Sequence, residues 1–446
     1  MSEPSQTPAV RRLLRPWTAL KRHPRAALAG VVLLTVSAAV GVWQFGLYQW
    51  RSAVDAVRGD RFDEARERLA FCTRLWPSDP DVLLLAARAA RLTGDFPGAE
   101  AHLNRCLESN SGDDVRGRVQ VEFCLIRAQT GEIDVLAEAL FKKVEEYEAV
   151  QPGHPESVAI LDTLARTYLS RLRYKPGSAC LTRWIEIQPN NPKPYQWRGW
   201  ALERLNNAKA ALDDYHRALE LDPDSVPVRL RIAEMLLEDK QAPEALPHLE
   251  RLYRQAPNDS LVLARLGMCR FLQGRPVEAR QLMESAVVHL PNDPALLVAL
   301  ANLDLQEGRP ADAERHLLTV LKSDPSDTEA LFVLGSVYQT QGRAAEAAGI
   351  LAEFERKRKI VDRVNDLLKD VADSPTAQPG EYAQIGELFA ELGREKFALY
   401  WLERALEREP DNQRAHRALA AYYERHGDAA RAASHRRQAR DRAPQP

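Results

Sequence analysis

Residues 260–291, SLVLARLGMCRFLQGRPVEARQLMESAVVHLP, contain the pattern that decides the fold. The first half places apolar and small residues on one helical face, at i, i+3 and i+4: Leu263, Leu266 and Gly267. Gly274 ends this helix, because glycine takes the left-handed conformation at a helix C-terminus without a side-chain penalty. A second helical face follows: Ala279, Met283 and Ala286. Pro291 closes the unit, since proline cannot continue a helix interior, and the stretch therefore predicts two amphipathic helices joined by a short turn.

The same residue types return every 34 positions along the chain. Prolines do so at Pro189, Pro223, Pro257, Pro291 and Pro325. Alanines and glycines keep the same interval: Ala211, Ala245, Ala279, Ala313 and Ala347, then Gly274, Gly308 and Gly342. Three residue types that share one period in a fixed order predict a repeated two-helix unit.

This pattern resembles the tetratricopeptide repeat family, which has a large residue, Leu-Gly and Tyr in its first helix, then Ala, an aromatic residue and a closing Pro. The best matches are Leu331-Leu334-Gly335-Tyr338-Gly342-Ala347, Gly199-Ala211-Tyr215-Ala218-Pro223 and Tyr382-Gly386-Phe389-Gly393-Ala398-Ala405-Pro410. Weaker copies extend the frame to about eleven units over residues 46–446. The resemblance implies an all-α, right-handed superhelical solenoid in which each unit rests on its neighbours.

A long uncharged stretch overlaps the start of the repeats. No charged residue occurs between Arg25 and Arg51, and about 20 apolar residues are enough to cross the hydrocarbon layer. Aromatic residues near its end suit the aromatic belt of a membrane: Trp43, Tyr48 and Trp50. Residues 26–50 are therefore predicted to be a transmembrane signal anchor. A cleaved signal peptide is the alternative, because Val36-Ser37-Ala38 offers small residues near a cleavage point.

The basic residues are concentrated at the two ends of the chain. Residues 1–25 carry six basic residues and one acidic residue, which predicts a basic cytoplasmic tail and repeats on the periplasmic or outer side of a bacterial inner membrane. Residues 413–446 carry eight Arg and three acids, while the whole chain has a net charge of −2. The body is therefore acidic, and this excludes a uniformly basic nucleic-acid binder. The final basic unit is interpreted as a polar cap, with contact to RNA or anionic lipid as the alternative.

The period is interrupted near the C-terminus. The unit that begins near residue 328 lacks its closing proline, and apolar spacing continues helically to about Asp373. Residues 374–379, SPTAQP, then indicate a break. These features predict a repeat block at 46–361, a helical insertion and break at 362–378, and two terminal repeats at 379–446.

The family resemblance places ligand contacts on the inward positions of the first helices. In this chain those positions hold Asp162, Arg166, Gln196, Trp200, Glu203, Arg204, Glu234, Glu238, Met268, Phe271, Asn302, Gln306, Phe332 and Gln339. An apolar stretch flanked by polar and charged residues suits an extended peptide or a partner helix. Glu329, expected in the same groove, would repel a ligand carboxylate.

No motif for catalysis, phosphate binding or metal coordination is found, so neither an enzyme nor a cofactor is predicted. Cys72 and Cys106 occupy equivalent positions in neighbouring units. They are interpreted as small apolar residues, and a disulfide between them remains an alternative outside the cytoplasm.

The sequence thus predicts a membrane-anchored, non-catalytic scaffold that binds protein or peptide partners in its groove. One alternative is an accessory subunit of envelope polysaccharide or cell-wall assembly, which similar repeat proteins serve. Another is a regulator that faces the cytoplasm, or a protein that contacts RNA through the Arg-rich final repeat.

Overall fold

The computed structural model describes residues 24–109, 112–373 and 378–440. Within these ranges every regular element is helical, and the predicted all-α fold is confirmed. The chain divides into two compact units between Leu164 and Ala165. Most of the predicted basic tail, residues 374–377 of the predicted break, and Arg442 of the basic cap lie outside the described residues.

The first unit contains six helices and the greater part of a seventh. Their bounds are α1 Pro24–Arg58, α2 Phe62–Leu75, α3 Pro80–Leu92, α4 Phe96–Glu108, α5 Asp113–Arg127, α6 Ile133–Val150 and α7 Pro155–Ser170. A π-helical turn, Ala128–Glu132, joins α5 to α6.

The second unit begins within α7 and continues to the end of the described chain. Its helices are α8 Tyr174–Ile187, α9 Pro192–Arg204, α10 Ala208–Leu221, α11 Val226–Glu238, α12 Ala242–Gln255, α13 Ser260–Leu272, α14 Pro276–Val287, α15 Pro294–Gln306, α16 Pro310–Ser323, α17 Thr328–Thr340, α18 Ala344–Asp373, α19 Pro379–Glu391, α20 Glu395–Arg408, α21 Gln413–Arg425 and α22 Ala429–Arg440. In chain order, the helices of the described ranges make eleven successive pairs, the number that the sequence predicts.

The turn inside each pair is built around one residue with positive φ. Gly274, Gly308 and Gly342 take φ of 72°, 72° and 75°. Earlier pairs place other residues at the equivalent point, with φ of 54°, 56° and 58°: Leu172, Asn206 and Lys240. A non-glycine residue pays about 1–2 kcal/mol for the left-handed conformation. The packing of the repeat therefore imposes this turn even where the local sequence does not favour it.

A small residue on the first helix sets the distance between the helices of several pairs. A Cβ added to three of these glycines would lie only 2.5 to 2.7 Å from a side-chain carbon of the second helix, in the contacts of Gly267 with Met283, Gly335 with Leu351 and Gly386 with Leu402. Atoms cannot approach this closely without displacement, so any larger residue would push the second helix or its side chain away.

Helix α18 extends well beyond the repeat period, as the apolar spacing predicts. Its distal half packs against the two final helix pairs through Ile360, Val364 and Leu367, which share a core with Tyr382 and Phe389. The Lys357 ammonium is buried and donates a hydrogen bond to the Glu391 carbonyl at the end of α19, at 3.0 Å. This contact satisfies a carbonyl that has no partner within its own helix.

The apolar N-terminal stretch and the first helix of the first repeat are one continuous helix, α1. The segment Val32–Arg58 is long and apolar enough to cross a membrane, by length and composition. From Gly46 onward the same helix is packed into the first repeat, where Ala53 and Ala56 are fully buried. A helix of this kind fits a membrane anchor or a signal peptide.

We expect Lys240→Gly to raise the apparent Tm of the detergent-solubilised chain, because glycine removes a left-handed penalty of about 1 kcal/mol. The matched control Gly274→Ala places a Cβ in the same turn one repeat later, and it should lower the Tm. Thermal unfolding followed by circular dichroism at 222 nm measures both. Equal shifts in the same direction would contradict the role of this turn.

Candidate functional site

The predicted inward residues all lie on first helices. Asp162 belongs to the first unit, and the remainder belong to the second. We call these second-unit residues the first-helix face: Arg166, Gln196, Trp200, Glu203, Arg204, Glu234, Glu238, Met268, Phe271, Asn302, Gln306, Phe332 and Gln339. Their assignment to a groove comes from the family resemblance.

A chain of ion pairs links the first helices of four successive repeats. Arg231 on α11 contacts Glu203 on α9 and lies 3.1 Å from Glu234 on its own helix. Arg265 on α13 then reaches back to Glu234 at 2.9 Å and forward to Asp293, the N-cap of α15, at 3.1 Å. We call this series the ion-pair ladder. Arg231 also lies 3.2 Å from Glu238, so two arginines pair with more acidic residues than they can neutralise and the ladder stays net negative. The sequence pattern identified neither Arg231 nor Arg265 as the partners of these acidic residues.

Aromatic and apolar side chains lie beside this ladder. The Trp200 ring contacts the Tyr174 ring edge-on, with centroids 5.6 Å apart. The Arg204 guanidinium lies 5.6 Å from the centroid of the Trp200 ring. Phe332 on α17 is 52% exposed and packs on one side against Phe354. Met268 and Phe271 are half-buried on α13. The face therefore combines accessible apolar surface with charges that are already paired.

The polar side chains of the first-helix face differ in whether they contact other protein groups or are exposed to solvent. Asn302 donates a side-chain hydrogen bond to the Val298 carbonyl one turn earlier, at 3.1 Å. Gln306 and Gln339 are exposed. Arg166 lies over the Trp197 ring, 4.5 Å from its centroid. The structure thus leaves Gln306 and Gln339 accessible, while Asn302 and Arg166 contact their own unit.

Glu329 is an exposed side chain in the first turn of α17. Desolvation raises the pKa of its carboxyl, Asp327 adds to that rise, and the Lys240 ammonium acts in the opposite direction. A carboxyl with these neighbours favours a basic or neutral group over a second carboxylate. That Glu329 disfavours a carboxylate ligand stays a prediction.

The two ends of the second unit contact each other. The Tyr400 hydroxyl on α20 donates a hydrogen bond to the Arg171 carbonyl in the turn before α8. Burial raises the pKa of Tyr400 to about 12, so this hydroxyl stays a donor at neutral pH. Helix α18 also contacts α8. The Tyr400 hydrogen bond joins the tenth helix pair of the chain to the fourth, and α18 adds a contact from the ninth.

The first unit contains a second charge network, in which three first helices meet. Glu122 on α5 accepts hydrogen bonds from Arg88 and Arg91 on α3, both at 2.8 Å. Arg88 also contacts Glu156 on α7 at 2.7 Å, and Arg91 donates to Thr163 at 3.2 Å. Arg91 and Glu122 are each 1% exposed. This buried charge cluster ties consecutive repeats together through their first helices.

The protonation of Glu122 depends on both arginines. Burial acts to raise the pKa of its carboxyl, but Arg91 and Arg88 hold that pKa below its usual value. The carboxylate is therefore charged at neutral pH and paired on both oxygens. Removing one member leaves a buried charge without its partner, which costs far more than the loss of an exposed pair.

The cysteines are buried or half-buried free thiols. The Sγ atoms of Cys72 and Cys106 each lie 3.9 Å from a carbonyl of the preceding first helix, at Gly46 and Pro80. The alternative of a disulfide between them is not formed in the structure. Among the described residues no group of three His, Cys, Asp or Glu side chains is placed to hold a metal ion.

Comparison with known families identifies the repeated unit. Residues 51–114 match one family model described as tetratricopeptide repeat, and residues 203–269, 236–303 and 270–331 match another with the same description. Among solved structures, a tetratricopeptide repeat protein from Parabacteroides merdae is 15% identical to this chain. The match covers 56% of this chain and 98% of that one, with a TM-score of 0.43.

Two curated proteins align in sequence with part of this chain. Cellulose synthase operon protein C of Pseudomonas fluorescens is 30% identical over 228 residues, which make up 50% of this chain and 15% of that protein. Anaphase-promoting complex subunit 3 of Schizosaccharomyces pombe is 35% identical over 104 residues, which make up 23% of this chain and 16% of that protein. The chain therefore spans less than a fifth of the length of either relative.

We expect Glu122→Gln to destabilise the first unit by about 3–5 kcal/mol, because it removes one charge from a buried and paired set. Glu64→Gln, which alters an exposed pair with Arg68 on α2, is the control and should leave the Tm near the wild-type value. Thermal unfolding of the full chain in detergent measures both.

Acid titration separates the contribution of the Glu122 charge to stability from that of its side-chain shape. Because the folded-state pKa of Glu122 is lowered, its contribution is present at neutral pH and is lost as the pH falls through that folded value. Wild type should therefore lose more stability on acidification than Glu122→Gln. Parallel losses in the two proteins would show that the carboxylate charge is not what stabilises the cluster.

Proposed function

Because this chain is a tetratricopeptide repeat protein, we propose that it is a non-catalytic scaffold, anchored in a membrane by α1, that binds a peptide or partner protein on the first-helix face. Proteins of this family mediate protein–protein interaction. The observation that carries the proposal is apolar surface on the first-helix face, exposed at Phe332 and half-buried at Met268 and Phe271. The same face carries an ion-pair ladder whose acidic residues outnumber its two arginines.

The chemistry of the face indicates the kind of ligand. Phe332 offers an exposed ring, and Met268 and Phe271 offer half-buried apolar surface between the charged repeats. Burial of such side chains provides most of the favourable free energy in a protein interface, and the polar rim fixes the register. We infer an extended segment or a helix with an apolar residue at its centre, and with a basic group suited to Glu329.

A narrower form of the proposal is supported by one relative. Half of this chain is 30% identical to a protein named cellulose synthase operon protein C. The scaffold would then be an accessory subunit of a machinery that assembles or exports an envelope polysaccharide. In this form the partner on the first-helix face is another protein subunit of that machinery.

The proposed location is a bacterial inner membrane, with the N-terminus in the cytoplasm and the repeats on the opposite side. The excess of basic residues before α1 supports this orientation. The final repeat supports the capping role of the Arg-rich end, because Arg431 pairs with Asp428 and Arg436 pairs with Glu424. Locally paired arginines leave less charge for RNA.

Topology is tested with two C-terminal fusions of the full chain. We expect alkaline phosphatase, which matures only in the periplasm, to be active, and green fluorescent protein exported through the same route to remain dark. The reverse pattern would place the repeats in the cytoplasm and would favour the regulator that faces the cytoplasm.

Partner binding is tested with Phe332→Ser and Trp200→Gln in the full chain, after cross-linking in cells and quantitative mass spectrometry. We expect the recovery of defined protein partners to fall about tenfold or more, since buried aromatic residues dominate interface energies. Val277→Ser is the matched control, because Val277 is 71% exposed on a second helix, and recovery should not change.

Circular dichroism of the purified variants checks that the helices remain folded. Unchanged recovery with folded Phe332→Ser and Trp200→Gln would contradict the assignment of the first-helix face. Recovery of RNA alone, lost with Arg437→Gln, would assign the function to the Arg-rich final repeat.

A further inference from the structure

The exposure of α1 changes abruptly along its length. The described side chains from Leu28 to Phe45 are all exposed, whereas Gly46 is buried and Ala53 and Ala56 have no exposed surface. At a rise of about 1.5 Å per residue, the stretch from Leu28 to Phe45 spans roughly 27 Å, close to the thickness of the hydrocarbon layer of a bilayer. If α1 crosses the membrane, Phe45 therefore lies at one boundary of that layer.

The C-terminal end of α2 returns to the level of this boundary. The Phe71 ring packs edge-on against Phe45, with centroids 5.1 Å apart. The Cys72 thiol lies 3.9 Å from the Gly46 carbonyl. A Cβ added to Gly46 would lie 2.4 Å from Leu75 Cδ2 and 2.9 Å from Trp76 Cη2. The C-terminal end of α2 therefore packs directly against α1 at Gly46.

The side chains of α2 are charged and paired in its N-terminal half and mostly uncharged toward its C-terminus. Near the N-terminus of α2, Glu64 pairs with Arg61 and Arg68. Arg68 also donates a hydrogen bond to the Gln49 side chain at 3.2 Å. Residues 69–73, LAFCT, then carry no charge. The segment continues with Arg74, which is exposed and makes no ion pair with any described residue, and ends on the half-buried Trp76.

We propose that the accessible side chains of Phe71, Arg74 and Trp76 form a second membrane contact, inserted in the interfacial layer of the leaflet from which α1 emerges. This inference rests on the proposed membrane anchor and adds a surface to it. Phe71 lies at the edge of the hydrocarbon, as Phe45 does, and the Trp76 indole occupies the headgroup region that aromatic amphipathic rings prefer. The Arg74 guanidinium binds lipid phosphate.

The consequence is a fixed orientation of the first repeat on the bilayer. One helix crossing a membrane leaves the attached domain free to tilt and rotate. A second contact on α2, held to α1 by the packing around Gly46, removes much of that freedom. The opposite end of α2, near Phe62, then faces the aqueous phase.

Photocross-linking of the full chain in liposomes of phosphatidylethanolamine and phosphatidylglycerol tests this proposal. The substitution Phe71→p-benzoylphenylalanine is compared with Phe62→p-benzoylphenylalanine, because both rings are half-buried and lie at opposite ends of one helix. We expect the yield of lipid adducts at position 71 to exceed that at position 62 several-fold. Equal yields at the two positions would overturn the proposal.

Two further positions make the outcome decisive. Trp76→p-benzoylphenylalanine reads the same surface if the first variant fails to fold. Val36→p-benzoylphenylalanine lies in the exposed apolar part of α1 and reports the anchor itself. Lipid adducts at position 36 without adducts at 71 and 76 would remove the second contact and leave the anchor in place, whereas their absence at 36 would remove the anchor.

Discussion

The fold depends on the close approach of the two helices within each repeat. Gly267, Gly335 and Gly386 allow a side chain of the second helix to lie where their own Cβ would be. This spacing leaves each pair with an apolar face that it cannot bury alone, so the next pair must cover it. The dependence of each repeat on its neighbours follows from that one steric constraint, and so does the extended row of first helices that a ligand can contact.

Charge pairing gives the row of first helices its order. In the second unit the ion-pair ladder connects α9, α11, α13 and the start of α15. In the first unit the buried charge cluster connects α3, α5 and α7. Salt bridges of this kind contribute little to stability when exposed, but a buried and fully paired set favours one arrangement of neighbouring helices.

The sequence predicts the repeat because its determinants are local and periodic. The prolines and glycines that recur at 34 residues mark helix ends wherever a repeat follows the pattern, and the number of pairs and the all-α class come directly from them. The turns at Leu172 and Lys240 are not visible in this way, because side chains of other types occupy the left-handed position under the pressure of packing. Only the structure shows that Leu172 and Lys240 occupy the same turn position as the glycines of the other repeats.

The candidate site is predicted less completely. Glu203 and Glu234 are found from their register in the first helix, but their partner Arg231 lies outside the inward positions that the resemblance defines. In the buried charge cluster, Glu122 follows Arg88 by 34 residues and Glu156 follows it by 68, so these charges keep the period, yet the sequence pattern alone did not reveal that they pair. The helix face on which a side chain lies can be predicted from the repeat pattern. Which side chain of another repeat it contacts can be seen only in the three-dimensional structure.

The apolar stretch that we propose as the anchor and the first helix of the first repeat are one continuous helix, α1, with no flexible stalk between them. Amide hydrogen exchange of residues 46–53 in the reconstituted full chain tests this most directly. If α1 is continuous from the bilayer into the first repeat, these amides should be as strongly protected as those around Ala56 and Leu69, which are buried in the same core. Rapid exchange confined to residues 46–53, between two protected segments, would contradict it.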